Sequence, residues 1–138
     1  MKPLTTEQAA YIAGLIDGDG CISTRYHPSS NRWRVRIDVW QIDPRPLTCM
    51  KDVVEGSLLY FRAKPNNKLS NTPIWHWTVV DKVLDYYLPQ FMPYLIVKKD
   101  KAEIALQFRA RIGKTGQRVT PEERAARMSL VKLASNRK

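Results

Sequence analysis

The clearest pattern in the chain is the ten-residue run RWRVRIDVWQ, Arg32 to Gln41. Trp33, Val35, Ile37 and Val39 alternate with Arg32, Arg34, Arg36 and Asp38, the two-residue period of a strand with one face on a core. The other face carries three arginines. A shorter alternation precedes it from Cys21 to His27, with Ser23, Arg25 and His27 opposed to Ile22, Thr24 and Tyr26. The turn cluster PSSN, Pro28 to Asn31, joins the two into a hairpin. A second hairpin is expected downstream. SLLYFRAK sets Tyr60, Arg62 and Lys64 on one face, PNNKLSN is the loop, and TPIWHWTVV alternates His76 and Thr78 with Trp75, Trp77 and Val79. Trp33, Trp75 and Trp77 have core parity and are read as packing residues.

Helical segments surround the hairpins. Thr5 to Gln8 fits a capping box and opens a helix from about Thr6 to Gly18, stopped by Gly18 and Gly20. DPRPL opens a second helix, about Pro44 to Val54, closed by Gly56. DKVLDYYL, Asp81 to Leu88, is a third, after which Pro89 and Pro93 are expected to interrupt the chain. KKDKAEIALQFRARI is a longer amphipathic helix. Thr120-Pro121-Glu122-Glu123 is another capping box, opening the last one. The order α-β-β-α-β-β-α-α-α predicts an α+β fold with a four-stranded antiparallel sheet, helices on one face and basic residues on the other. The 138 residues suit one domain, a core at about 6–110 with a C-terminal helical extension at about 111–138.

Charge gives that basic face a purpose. Twenty-three Lys and Arg against 13 Asp and Glu leave a net charge of +10, which calls for a polyanionic partner, nucleic acid first. No apolar run reaches the length of a membrane span and MKPLTTEQAA lacks a secretory core, so an intracellular protein with no membrane partner is expected. Cys21 and Cys49 form neither a CxxC pair nor a zinc set and are read as small reduced core residues. His27 and His76 have no ligand partners in the sequence pattern and are not read as metal ligands.

The first helix ends on Asp17-Gly18-Asp19-Gly20, although a helix C-terminus disfavours carboxylates. A turn accounts for Asp and Gly, and a hard cation such as Mg²⁺, held by carboxylate and carbonyl oxygens, accounts for the charge. An EF-hand is excluded, because its fifth and sixth loop positions would be Cys21 and Ile22. No P-loop, GxGxxG or zinc spacing is present. Gly14 and Gly18, four apart, leave one helix face without bulk, which lets two helix backbones approach closely.

Ile12 to Gly20, IAGLIDGDG, resembles the nine-residue signature of the LAGLIDADG homing endonucleases, departing by Ile for the first Leu and Gly for the second Ala. A single copy in a short chain resembles the homodimeric branch. The resemblance implies a site-specific double-strand DNA endonuclease, intron-encoded, with Mg²⁺ as cofactor and Mn²⁺ or Ca²⁺ able to occupy the site. It implies hydrolysis of one phosphodiester per strand, leaving 3′ overhangs, on a long pseudo-palindromic target, with no small-molecule substrate. Asp19 would be the metal ligand, assisted by the Gly18 carbonyl. Gln41, Arg45 and Lys98, with Lys99 as fallback, would complete the catalytic site. Ala13, Gly14, Asp17 and Gly18 would form the dimer interface, with Asp17 bracing rather than binding metal. A strand ribbon suits the major groove. Parity assigns DNA contact to Ser23, Arg25, His27, Arg32, Arg34, Arg36, Asp38, Tyr60, Arg62, Lys64, His76 and Thr78, with Asp38 accepting from a cytosine amino group. Two other readings suit the same scaffold: an RNA maturase that assists its intron, and a DNA-binding regulator.

Overall fold

The computed structural model describes residues 1–62, 73–112 and 119–136. Helix α1 (Thr6–Asp19) starts with the expected capping box: the Gln8 N–H donates to Thr5 Oγ1 at 3.1 Å and the Thr5 N–H to Gln8 Oε1 at 3.0 Å. Ala9, Ile12, Ala13 and Ile16 are its buried residues, an i, i+3, i+4, i+7 stripe that seats the helix in the core. Strands β1 (Gly20–His27) and β2 (Arg32–Gln41) form the first hairpin, and β3 (Leu58–Arg62) and β4 (Ile74–Val80) pair antiparallel as the second. The two hairpins join through β2 and β4, so the sheet order is β1-β2-β4-β3.

The apolar parity of the strands sets which face is covered. Val35, Ile37, Val39, Trp77 and Val79 lie under the helical layer and are almost fully buried. That layer comprises α1, α2 (Arg45–Val53), α3 (Lys82–Phe91), α4 (Lys99–Ile112) and α5 (Pro121–Asn136). Leu47 and Met50 of α2, Leu84 and Leu88 of α3, and Phe108 of α4 fill the interior. Each such large side chain contributes roughly 2 kcal/mol. Gly56 closes the turn after α2 with φ +88°, a conformation that glycine adopts without strain.

Pro89 does not interrupt the third helix. It lies inside α3, which continues to Phe91 and passes into a 3₁₀ turn, Met92–Tyr94, that contains Pro93. Proline removes one helix hydrogen bond at a cost of about 3 kcal/mol. Leu88 and Phe91, fully buried on either side of it, offset that cost through packing. The C-terminal helix is more than an appendage. Ala134 and Arg127 of α5 are buried, and Arg124 and Arg127 lie over the ring of Trp33, at 6.0 and 5.5 Å from its centroid. The two cysteines are not the core residues expected: Cys49 is exposed and Cys21 is only partly buried. Among the described residues, no helix is long and apolar enough to cross a membrane.

Candidate active site and nucleic-acid interface

Helix α1 passes into β1 without a loop: Asp19 is the last helical residue and Gly20 the first of the strand. A Cβ on Gly20 would sit 2.8 Å from the Ile16 Cα, 2.9 Å from the Ile16 carbonyl oxygen and 3.0 Å from that of Asp38. Only glycine allows this crossing of backbones. The crossing leaves the Asp19 side chain exposed at the helix end. The β1–β2 register pairs Gly20 with Val39, which brings the end of β2 alongside. Gln41 there donates through Nε2 to Asp19 Oδ2 at 2.6 Å.

The segment before α4 closes the other side. Asp17 accepts the Ile96 N–H at Oδ2 (2.7 Å) and the Lys98 N–H at Oδ1 (3.0 Å). Lys98 Nζ donates to the Asp17 carbonyl at 2.7 Å. Helix α1 has no basic residue in its own last turn, so Lys98 supplies the cation its C-terminus favours. Asp17, Asp19, Gln41 and Lys98 thus meet at one helix end, drawn from three separate stretches of chain. Lys99 is exposed and starts α4. Arg45 is not brought in. Its guanidinium grips Asp43 through Nε and Nη2 at the exposed start of α2, and among the described residues no hydrogen bond joins it to Asp19, Gln41 or Lys98. That bond is the main cause holding the Asp43 carboxyl down at about 2.

The open face of the sheet continues from this helix end. Ser23, Arg25 and His27 of β1, Arg36 of β2, and Tyr60 and Arg62 of β3 line a groove of about 860 Å³. Arg32 is exposed at the hairpin tip.

No protein-family model matches the sequence, and no curated protein does. Solved structures do match. I-CvuI, a homing endonuclease crystallised with its target in the presence of 2 mM Ca, aligns over 95% of this chain and 82% of its own, with TM-score 0.75 and 21% identity. I-CvuI was also solved with 2 mM Mg and uncleaved DNA, with TM-score 0.76. The archaeal intron-encoded I-Vdi141I, complexed with DNA, aligns over 94% of this chain and 83% of its own, with TM-score 0.74 and 15% identity. The LAGLIDADG meganuclease I-AabMI, bound to uncleaved DNA, aligns over 89% of this chain but 43% of its own, with TM-score 0.70 and 17% identity. The fold is that of the LAGLIDADG homing endonucleases.

Within this LAGLIDADG fold several expected contacts take another form. Ala13 is fully buried in its own chain's core, so it is unavailable to a second subunit. Asp17 is occupied by residues 96–98 of its own chain. Gly14 and Gly18 are exposed, and a Cβ on either meets nothing within 4 Å. Asp38 does not offer a free acceptor to a base. It is buried, with Arg36 Nε at 2.8 Å on Oδ2 and His76 Nε2 at 2.6 Å on Oδ1. His76 and Thr78 have the expected parity but are covered, each 6% exposed, His76 lying against the rings of Trp40 and Tyr60. Arg34 is half-buried and pairs with Asp81 at 2.7 Å. Lys64 lies outside the described residues.

Trp40 was missing from the sequence reading. It lines the open face and stacks on His76, with ring centroids 4.9 Å apart and planes 12° apart. Its parity with Arg36 and Asp38 is the signal that marks it.

The donor set suits a hard divalent cation. Among the described residues Asp19 carries no ion pair and only Gln41 hydrogen-bonds it, which leaves carboxylate oxygen available. Among those residues no cluster of three or more His, Cys, Asp or Glu could hold a metal ion.

Proposed function

We propose that the chain is a site-specific endonuclease that cuts double-stranded DNA as a homodimer, hydrolysing one phosphodiester on each strand and leaving 3′ overhangs. One observation carries the reading: the exposed Asp19 carboxylate, oriented by Gln41 and flanked by Lys98, stands where a helix end meets a sheet face rich in arginine.

The Asp19 carboxylate and the Gly18 carbonyl would hold Mg²⁺, with Mn²⁺ or Ca²⁺ as substitutes. When bound, such a cation supplies Lewis-acid stabilisation of negative charge at the scissile phosphate. Gln41 uses its amide N–H to fix Asp19, and its Oε1 would accept a hydrogen bond from a water, which would orient that water for in-line attack. The Lys98 ammonium adds positive charge at the same helix end. Arg45, exposed and held by Asp43, acts as a phosphate contact at the rim.

Two features support a dimer. Tyr11, Gly14 and Gly18 leave an exposed α1 face with no covering atoms over the glycines. The chain also spans 82% and 83% of I-CvuI and I-Vdi141I, but 43% of I-AabMI, so two copies match the longer chain. Pairing α1 with its twin would bring two Asp19 carboxylates together, one for each strand.

The test is cleavage of a randomised duplex library with and without Mg²⁺. The wild type is expected to cut a discrete set of sequences only with the cation. Asp19→Asn should lower cutting by roughly a hundredfold or more while retention of the same duplex survives. Retention without cutting by the wild type would identify a binder instead, either regulator or maturase.

A further inference from the structure

At the centre of the open face, a buried carboxylate and a buried imidazole hold one arginine. Asp38 and His76 have side chains only 4% and 7% exposed, whereas that of Arg36 is 51% exposed. Asp38 uses Oδ2 for Arg36 Nε (2.8 Å) and Oδ1 for His76 Nε2 (2.6 Å). His76 is itself fixed by stacking on Trp40 and by the tilted ring of Tyr60, 6.0 Å away. The order of exposure matters. The supporting groups are buried, and the half-exposed Arg36 side chain lines the groove with its Nε committed to Asp38.

We propose that Asp38 and His76 are positioning residues that preset Arg36 to read a guanine in each half of the target. This rests on the endonuclease reading above. A guanidinium held at Nε loses the freedom to swing between phosphates, and its Nη edge offers a parallel pair of N–H donors. That pair matches guanine O6 and N7 in the major groove. A carboxylate only 4% exposed is out of reach of a cytosine amino group, so its effect on sequence passes through the arginine. His76 Nε2–H gives Asp38 a second donor. It holds the carboxylate at the angle that Arg36 needs and offsets the cost of burying its charge.

The experiment is selection of cut and retained duplexes from the randomised library by the full chain and by three variants. Arg36→Lys keeps the charge but not the paired donors. His76→Phe keeps a ring against Trp40 and removes the donor to Asp38. His76→Gln restores an N–H at the Nε2 position. Arg36→Lys and His76→Phe should lower the preference for guanine at the same single position of each half-site, by about tenfold. His76→Gln should recover most of it, with other positions unchanged. A loss spread over all positions, a loss at different positions for the two variants, or an unchanged His76→Phe profile would overturn the proposal. If His76→Phe lowers the melting temperature, the Gln variant still decides, because a stable protein with an altered profile that Gln restores is required. A wild type that selects no sequence refutes the endonuclease reading itself, and this inference with it.

Discussion

Asp17 and Asp19 lie two residues apart at one helix end and serve different ends. Asp17 accepts two backbone N–H groups from residues 96 and 98, so its carboxylate is a clasp between the end of α1 and the start of α4. Asp19 points outward with one amide partner and keeps capacity for a ligand. The two aspartates should separate by experiment. Asp17→Ala leaves two N–H groups without their acceptor and should cost about 2 kcal/mol, read as a fall of about 7 °C in melting temperature. Asp19→Asn should leave the melting temperature within about 1 °C, since an exposed side chain contributes little. A thermal scan of both proteins checks the contrast.

At the scale of elements, the three glycines of the first helix and its exit are not equivalent. Gly20 is required by its own chain, because a Cβ there meets the backbone of Ile16 and Asp38. Gly20→Ala should therefore destabilise the monomeric fold by roughly 1–3 kcal/mol, measurable by denaturant titration. Gly14 has open space in its own chain. Gly14→Leu should leave the circular dichroism spectrum intact and shift the sedimentation coefficient from dimer to monomer. A wild-type monomer in sedimentation would sink the dimeric reading. Much of the secondary structure was legible because capping and alternation are local physics: Thr5, Gln8 and the Arg32–Gln41 parity read directly. Pro89 misled because local propensity argued for a break, while the burial of Leu88 and Phe91 is a property of the assembled core.

For the molecule as a whole, charge and shape act together. A net charge of +10 lies in a chain whose open sheet face carries Arg25, Arg36 and Arg62 in one groove. Binding by such a face releases counterions, so affinity for DNA should fall about a thousandfold or more between roughly 50 and 200 mM salt. Filter retention across a salt series checks this. An affinity that ignores salt would argue against phosphate contact by this face.

The sequence by itself determined the order of elements, the division of the sheet into apolar and basic faces, and the nine-residue stretch that ends on Asp19, because each is written in neighbouring residues. Only the tertiary structure decided which carboxylates are free. Asp17 is claimed by a segment about 80 residues away, and Asp38 by a histidine on another strand. Such pairings depend on register and on which strand lies inside the sheet. Parity gives a side chain's direction, and only the packed neighbours determine whether it ends in solvent, in a hydrogen bond or beneath another residue.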